Sequence, residues 1–206
     1  MLADTPVGIV DQRKTCALYP RSRKSRLSSP KSLFLNIEPD SLFDPQLRNA
    51  AFLEQMEHAG LAPGRIVFEV TEHAAVRDFT SLKRVVEETR AIGFRLAMDD
   101  VGSGYAGLKS IAEIRPDFLK IDMSLVRDLH LDPIKRELIT TIRRFSESTG
   151  IAIVAEGVES EAEMVSLSDA GVRCAQGFLF AEPDAPPRAP DWDNLEYLDA
   201  HDEGDA

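Results

Sequence analysis

The chain has 206 residues, of which 43% are hydrophobic and 29% charged, with a formal net charge of −11 and a pI near 4.9. That is enough apolar material for one domain with a substantial core, and the wrong charge for a general nucleic-acid binder, whose grip on phosphates depends on Lys and Arg. Cys16 and Cys174 make no disulfide framework or zinc spacing, and no apolar run approaches the about 18 residues needed to cross a bilayer. The start MLADTPVGIVDQRK also lacks the charged and apolar regions of a leader. A cytoplasmic location without a membrane partner is therefore expected.

Residues 1–32 are basic, with Arg13, Lys14, Arg21, Arg23, Lys24, Arg26 and Lys31, and read as a solvated helical segment. Short β-branched or aromatic runs follow: LFLNI (33–37), RIVFEVT (65–71), RLAMDD (95–100), FLKID (118–122), IAIVAEG (151–157) and CAQGFLF (174–180). Helical periodicity lies between them. Residues 80–92 align Leu82, Val85, Val86 and Thr89 on one stripe, and 133–148 align Ile134, Leu138, Ile139, Ile142 and Phe145. Gly60, Gly93, Gly150 and Gly171 fall where helices should stop. Beyond residue 183 the chain is acidic and Pro-rich, and only Trp192, Leu195, Tyr197 and Leu198 offer it an apolar hold. Alternating strands and helices predict an α/β fold with a parallel sheet. No GxGxxG or GxxxxGK[ST] follows the first strand, which favours a TIM-like (β/α) barrel over a nucleotide-binding open sheet.

In such barrels the reactive groups gather at the carboxyl ends of the strands. Polar residues occupy that position repeatedly here: Asn36, Glu69 and Glu72, Asp99 and Asp100, Lys120 and Asp122, Glu156 and Glu159, then Gln176. Any one of them alone would pass as a helix cap. Their recurrence on successive strands points instead to a shared mouth. Alternation puts Lys120 and Asp122 on one face, whereas the neighbours Asp99 and Asp100 point the same way only if their strand has ended. Crowded carboxylates repel one another without cations, and the all-oxygen donor set suits Mg²⁺ or Mn²⁺. An Asp bridging two ions would build the clamp used for in-line phosphoryl displacement. His58, His73, His130 and His201 are scattered without ligand spacing, which argues against a zinc hydrolase. In DDVGSGYAGL, Gly102, Gly104 and Gly107 permit a tight loop over the mouth.

From Leu33 to Pro183 these segments resemble the EAL family of cyclic-di-GMP phosphodiesterases. FLNIEP, FEVTE, DDVGSGYAGL, DFLKID, AEGVES and CAQGFLFAEP occur in the family's order. The resemblance implies a domain at 33–183, preceded by the segment 1–32 and followed by a tail at 184–206. It implies hydrolysis of cyclic-di-GMP to linear pGpG with two Mg²⁺ or Mn²⁺ ions, often by a homodimer. Asn36, Glu69 and Asp99 would hold one ion, and Asp99, Asp100 and Glu156 the second. Lys120 would orient the attacking water, Glu156 would activate it, Glu72 would anchor the glycine-rich loop, and Asp122, Glu159 and Gln176 would support the site.

Two departures stand out. Val101 replaces a common Phe, a minor apolar exchange. More seriously, the family's ExLxR signature, which supplies a further metal-ligand Glu from the first strand, finds no match, because residues 1–35 contain no Glu. The barrel is accordingly expected to be incomplete, lacking its first strand. Hydrolysis at reduced activity competes with an impaired EAL module that senses cyclic-di-GMP or binds a protein.

Overall fold

A computed structural model of the chain describes residues 9–15, 17–18, 32–71, 79–102 and 107–180. Six strands run parallel in chain order: β3 (Leu33–Ile37), β4 (Ile66–Thr71), β5 (Arg95–Val101), β6 (Phe118–Ile121), β7 (Ala152–Ala155) and β8 (Cys174–Ala175). The α-helices between them are α1 (Pro39–Leu42), α2 (Ala50–His58), α3 (Phe79–Ile92), α4 (Gly107–Ile114), α5 (Met123–Val126), α6 (Pro133–Thr149) and α7 (Glu161–Asp169). The sheet is strongly curled. Phe34 on β3 and Phe118 on β6 are separated by two intervening strands, a distance of about 14 Å in a flat sheet, yet their rings meet edge-to-face at 5.2 Å.

The helix expected within residues 1–32 is not formed where the segment is described. β1 (Ile9–Thr15) pairs antiparallel with β3, and β2 (Ala17–Leu18) pairs antiparallel with β8. One residue separates them, so a single extended segment joins the two outer strands of the parallel set. The physical reason is edge satisfaction: a curled sheet one strand short leaves two rows of unpaired backbone N–H and C=O groups, and the segment pairs with both. The parallel set still consists of the expected six.

Side-chain alternation sorts the strands into an outer and an inner face. Outward residues such as Phe68, Val70, Leu96, Met98 and Leu119 form one core with α3, whose Leu82, Val85, Val86 and Thr89 are all buried as the periodicity predicts. A second core gathers Ile121, Ile153, Ala155 and Ala175 with Ile139 of α6 and Met164 and Leu167 of α7. The stripe expected on α6 is only partly used: Ile139 is buried and Ile142 packs beside it, but Ile134 and Leu138 are exposed. Helix stops behave as read, Gly150 capping α6 at φ 74° in left-handed backbone that suits glycine. No helix among the described residues is long and apolar enough to cross a membrane.

Inside the barrel, Phe34, Val67, Ala97 and Val154 cluster, with Phe118 and Cys174 packed against them. Each parallel strand thus gives one residue to an apolar plug. Arg95, its guanidinium 5.2 Å from the Phe118 ring centre, flanks the plug at the start of β5.

Candidate active site

Two residues beyond each plug residue, near or one residue past the carboxyl end of its strand, the sequence is polar in every case: Asn36, Glu69, Asp99, Lys120, Glu156 and Gln176. A strand period of two therefore converts six separate sequence segments into one polar tier resting on an apolar floor. Asn36 lies opposite Glu69 in the β3–β4 register, while Glu69 lies opposite Ala97, the stagger expected of tilted barrel strands.

Lys120 is the hub. Its side chain is fully buried, and Nζ lies 2.8 Å from Glu69 Oε1, 2.9 Å from Asp99 Oδ1 and 2.5 Å from Glu156 Oε1. Burial by itself would lower the ammonium's pKa, but the charges of Glu69, Glu156 and Asp99 outweigh it and hold the group well above the ordinary lysine value. The three carboxylates thus favour the charged form of Lys120. Gln176 Nε2 donates to Glu156 Oε1, fixing that carboxylate from the β8 side. Gln176 Oε1 is buried without a hydrogen-bond partner among the described residues, an acceptor available to a further polar guest.

Asp99 and Asp100 both reach the mouth, but not because the strand stops. β5 continues to Val101, and the β5–β6 register slips between Met98 and Val101. This is a β-bulge, with Asp100 at φ 60°, and it turns the second carboxylate to the side of the first. Each of Asp99, Asp100 and Glu156 offers an oxygen within 4.8 Å of the other two. Counting Glu69, the tier gathers four carboxylates around one buried ammonium, an acidic cluster that is largely buried. The donor set is all oxygen. Such a cluster fits a hard divalent cation.

Two expected participants lie elsewhere. β6 ends at Ile121, so Asp122 leaves the alternation, and its carboxylate caps α5 by accepting from Ser124 N at 2.9 Å. Glu159 is exposed and pairs with Arg127 at 2.5 Å. Glu72 lies outside the described residues.

One residue that inspection of the strand ends missed is Glu163, on the first turn of α7. It is buried, and its carboxylate accepts from Asp128 N (3.0 Å), Glu159 N (3.0 Å) and Ser160 N (3.1 Å), while Glu163 N bonds Ser160 Oγ. Burial would raise its pKa, but the N–H donors of Glu159, Asp128 and Ser160 lower it overall. The sequence signal was present as S-x-x-E at 160–163, a capping box.

The sequence profile of the EAL domain matches residues 13–183. This chain belongs to the EAL domain family. Among curated relatives, this EAL chain is 32% identical over 167 residues to the cyclic di-GMP phosphodiesterase RocR of Pseudomonas aeruginosa, covering 81% of the chain and 42% of RocR. It is 28% identical over 190 residues to the blue light- and temperature-regulated antirepressor BluF of Escherichia coli, covering 87% of the chain and 47% of BluF. It therefore spans less than half the length of these relatives. Solved EAL neighbours include Klebsiella pneumoniae BlrP1 in a manganese and cyclic di-GMP complex, with TM-score 0.69, 37% identity, and coverage of 74% of this chain and 39% of BlrP1. A standalone EAL protein from Vibrio cholerae bound to cyclic di-GMP gives TM-score 0.68 and 36% identity, covering 78% of this chain and 67% of that one.

Proposed function

We propose that this EAL domain is a cyclic-di-GMP phosphodiesterase, opening one phosphodiester to give linear pGpG with two divalent ions, Mg²⁺ or Mn²⁺. The observation that carries the reading is the polar tier centred on Lys120, with an adjacent carboxylate trio suited to a cation. Asp99, Asp100 and Glu156 would hold one ion, and Asn36, Glu69 and Asp99, from three neighbouring strands, the other. Bound divalent ions supply charge for the phosphate oxygens and lower the pKa of water.

The chain's own groups account for the remaining requirements. Hydrolysis forms a bond from water oxygen to phosphorus and breaks the bond from phosphorus to the leaving sugar oxygen, which ends protonated. Glu156 takes the proton from the attacking water. Its Oε1, held between Lys120 Nζ and Gln176 Nε2, fixes the carboxylate's orientation for that task. Lys120, whose Nζ sits among Glu69, Asp99 and Glu156, places its positive charge beside the attacking water and steadies the negative charge that accumulates on phosphate oxygen. The apolar floor of Phe34, Val67, Ala97 and Val154 limits water access from below. Release of pGpG in the presence of Mn²⁺, measured by chromatography, tests the proposal: turnover that Glu156→Ala abolishes supports it, and no turnover by the wild-type chain refutes it.

A second reading, a regulatory EAL module that binds cyclic-di-GMP without hydrolysing it, is favoured by the absence of any Glu from residues 1–35. One relative carries the name of an antirepressor, a regulatory role for that protein. Calorimetric binding in Ca²⁺ without turnover in Mn²⁺ would select it.

A further inference from the structure

Glu163 has no part in the tier, yet its carboxylate spans the segments that follow β6 and β7. Oε1 accepts from Asp128 N, in the loop that follows β6 and α5. Oε2 accepts from Glu159 N and Ser160 N, in the loop that follows β7 and begins with Glu156. Asp128 adopts φ 57°, a left-handed conformation uncommon for a non-glycine residue, so its N–H direction is held by its surroundings rather than by local preference. Arg127, the preceding residue, reaches across the same gap to Glu159 at 2.5 Å, but that pair is about half exposed and worth little by itself. Between Glu156 and Glu159, Val158 N bonds Gln176 O at 3.1 Å, and Leu179 N bonds Val158 O at 3.1 Å. The loop after β7 is thereby held along its length: Glu156 N bonds Ile121 O of β6 at 3.1 Å, Val158 is tied to the segment after β8, and Glu163 holds Glu159 and Ser160.

We propose that Glu163 is a positioning residue that clasps the β6 and β7 loops together and so sets the carboxylate of Glu156 against its partners in the cation cluster. The proposal rests on the reading of that cluster as the active site. Its chemistry separates the two halves of the clasp. A carboxylate accepts on both oxygens, whereas an amide accepts on one and donates from the other. In Glu163→Gln the amide oxygen can keep Glu159 N and Ser160 N, but its NH₂ then faces Asp128 N–H, donor against donor. The capping box survives and the bridge between loops is cut. Ser160→Ala does the converse, removing the hydroxyl that caps Glu163 N and leaving the Asp128 bond in place.

The test uses the full chain and three readouts. In amide hydrogen exchange, Glu163→Gln should speed exchange at Asp128 about ten-fold or more while Glu159 and Ser160 stay protected, and Ser160→Ala should leave Asp128 protected. In calorimetry with Mn²⁺ alone, Glu163→Gln should weaken binding about ten-fold, the size of effect seen when a group supporting a metal ligand is removed, and Ser160→Ala should change it little. In hydrolysis, Glu163→Gln should lower kcat about ten-fold with KM for cyclic-di-GMP unchanged, a split that simple loss of folded protein would not produce. Unchanged exchange at Asp128, or lost protection there with wild-type Mn²⁺ affinity, overturns the clasp. If the wild-type chain binds Mn²⁺ and hydrolyses nothing, the phosphodiesterase reading falls while the exchange and Mn²⁺ measurements still decide the clasp.

Discussion

Replacing Lys120 by Met keeps the volume and apolar stem of the side chain and deletes the charge on which the polar tier is centred. Three carboxylates at 2.5 to 2.9 Å lose their counter-ion at a site where the lysine is fully buried. Breaking a buried ion pair by removing one partner costs about 3–5 kcal/mol, because the remaining charge is stranded. At about 2–4 °C per kcal/mol for a chain of this size, the melting temperature in a chelator should fall by about 6–20 °C. Added Mn²⁺ supplies the missing positive charge to the same oxygens. The variant should therefore gain more from the metal than the wild type does, where the ammonium already shares those oxygens; at about 100 times Kd, binding contributes about 2.7 kcal/mol. Thermal melts in EDTA and in saturating Mn²⁺ measure both shifts. A variant melting within about 2 °C of wild type in EDTA, or equal gains from Mn²⁺ in the two proteins, would mean that Lys120 does not neutralise this cluster. The pH dependence has a definite sign. Because the folded ammonium's pKa is raised, its own contribution is complete below the unfolded lysine value of about 10.4 and disappears only as pH climbs through the folded one, so wild-type stability should lose nothing to lysine titration from about pH 6 to 9.

Asp100→Asn removes a charge from the cation cluster while keeping a residue type that tolerates the left-handed backbone at φ 60°. Mn²⁺ affinity measured by calorimetry should fall about ten-fold or more with stability nearly unchanged, and wild-type affinity would remove Asp100 from the ligand set. Gly177→Ala would put a Cβ 2.1 Å from Val158 O and 2.3 Å from Val158 N, a backbone clash that no rotamer relieves. A loss of about 3 kcal/mol or more is expected in urea unfolding, and a well-folded variant of wild-type stability would show that β8 and the β7 loop do not pack this way. Glu163→Gln should cost about 1–3 kcal/mol near neutral pH through its lost hydrogen bonds. Since the folded carboxyl's pKa is depressed, that difference belongs to pH values above the unfolded glutamate value of about 4.3, and it should vanish as pH falls below it in acid-unfolding curves.

The tier was readable in the sequence because a strand offers a period of two and nothing else. Once LFLNI, IVFEV and FLKI are taken as parallel strands of a barrel, Asn36, Glu69 and Lys120 must share the lumen with Phe34, Val67 and Phe118. Asp122 follows a different rule from Glu156 and Gln176, which also lie one residue past their strands: α5 begins directly after it, so its carboxylate turns to Ser124 N as a helix cap. The bulge at Asp99 and Asp100 resisted reading because it is a two-strand property, a slip in register against β6 that no single segment encodes. The N-terminal strand escaped for a related reason. IVDQRKT has no strong alternation of its own, and its extended form answers the unpaired edges of β3 and β8, groups nearly 160 residues apart in the case of β8. Local pattern therefore predicts where a side chain points along an element already formed, while the edges and slips that decide which elements meet are set by hydrogen bonds the sheet must satisfy as a whole. Glu163 shows the intermediate case: its capping box is written locally at 160–163, but the third donor, Asp128 N, comes from another loop, and that non-local bond is what makes the residue more than a cap.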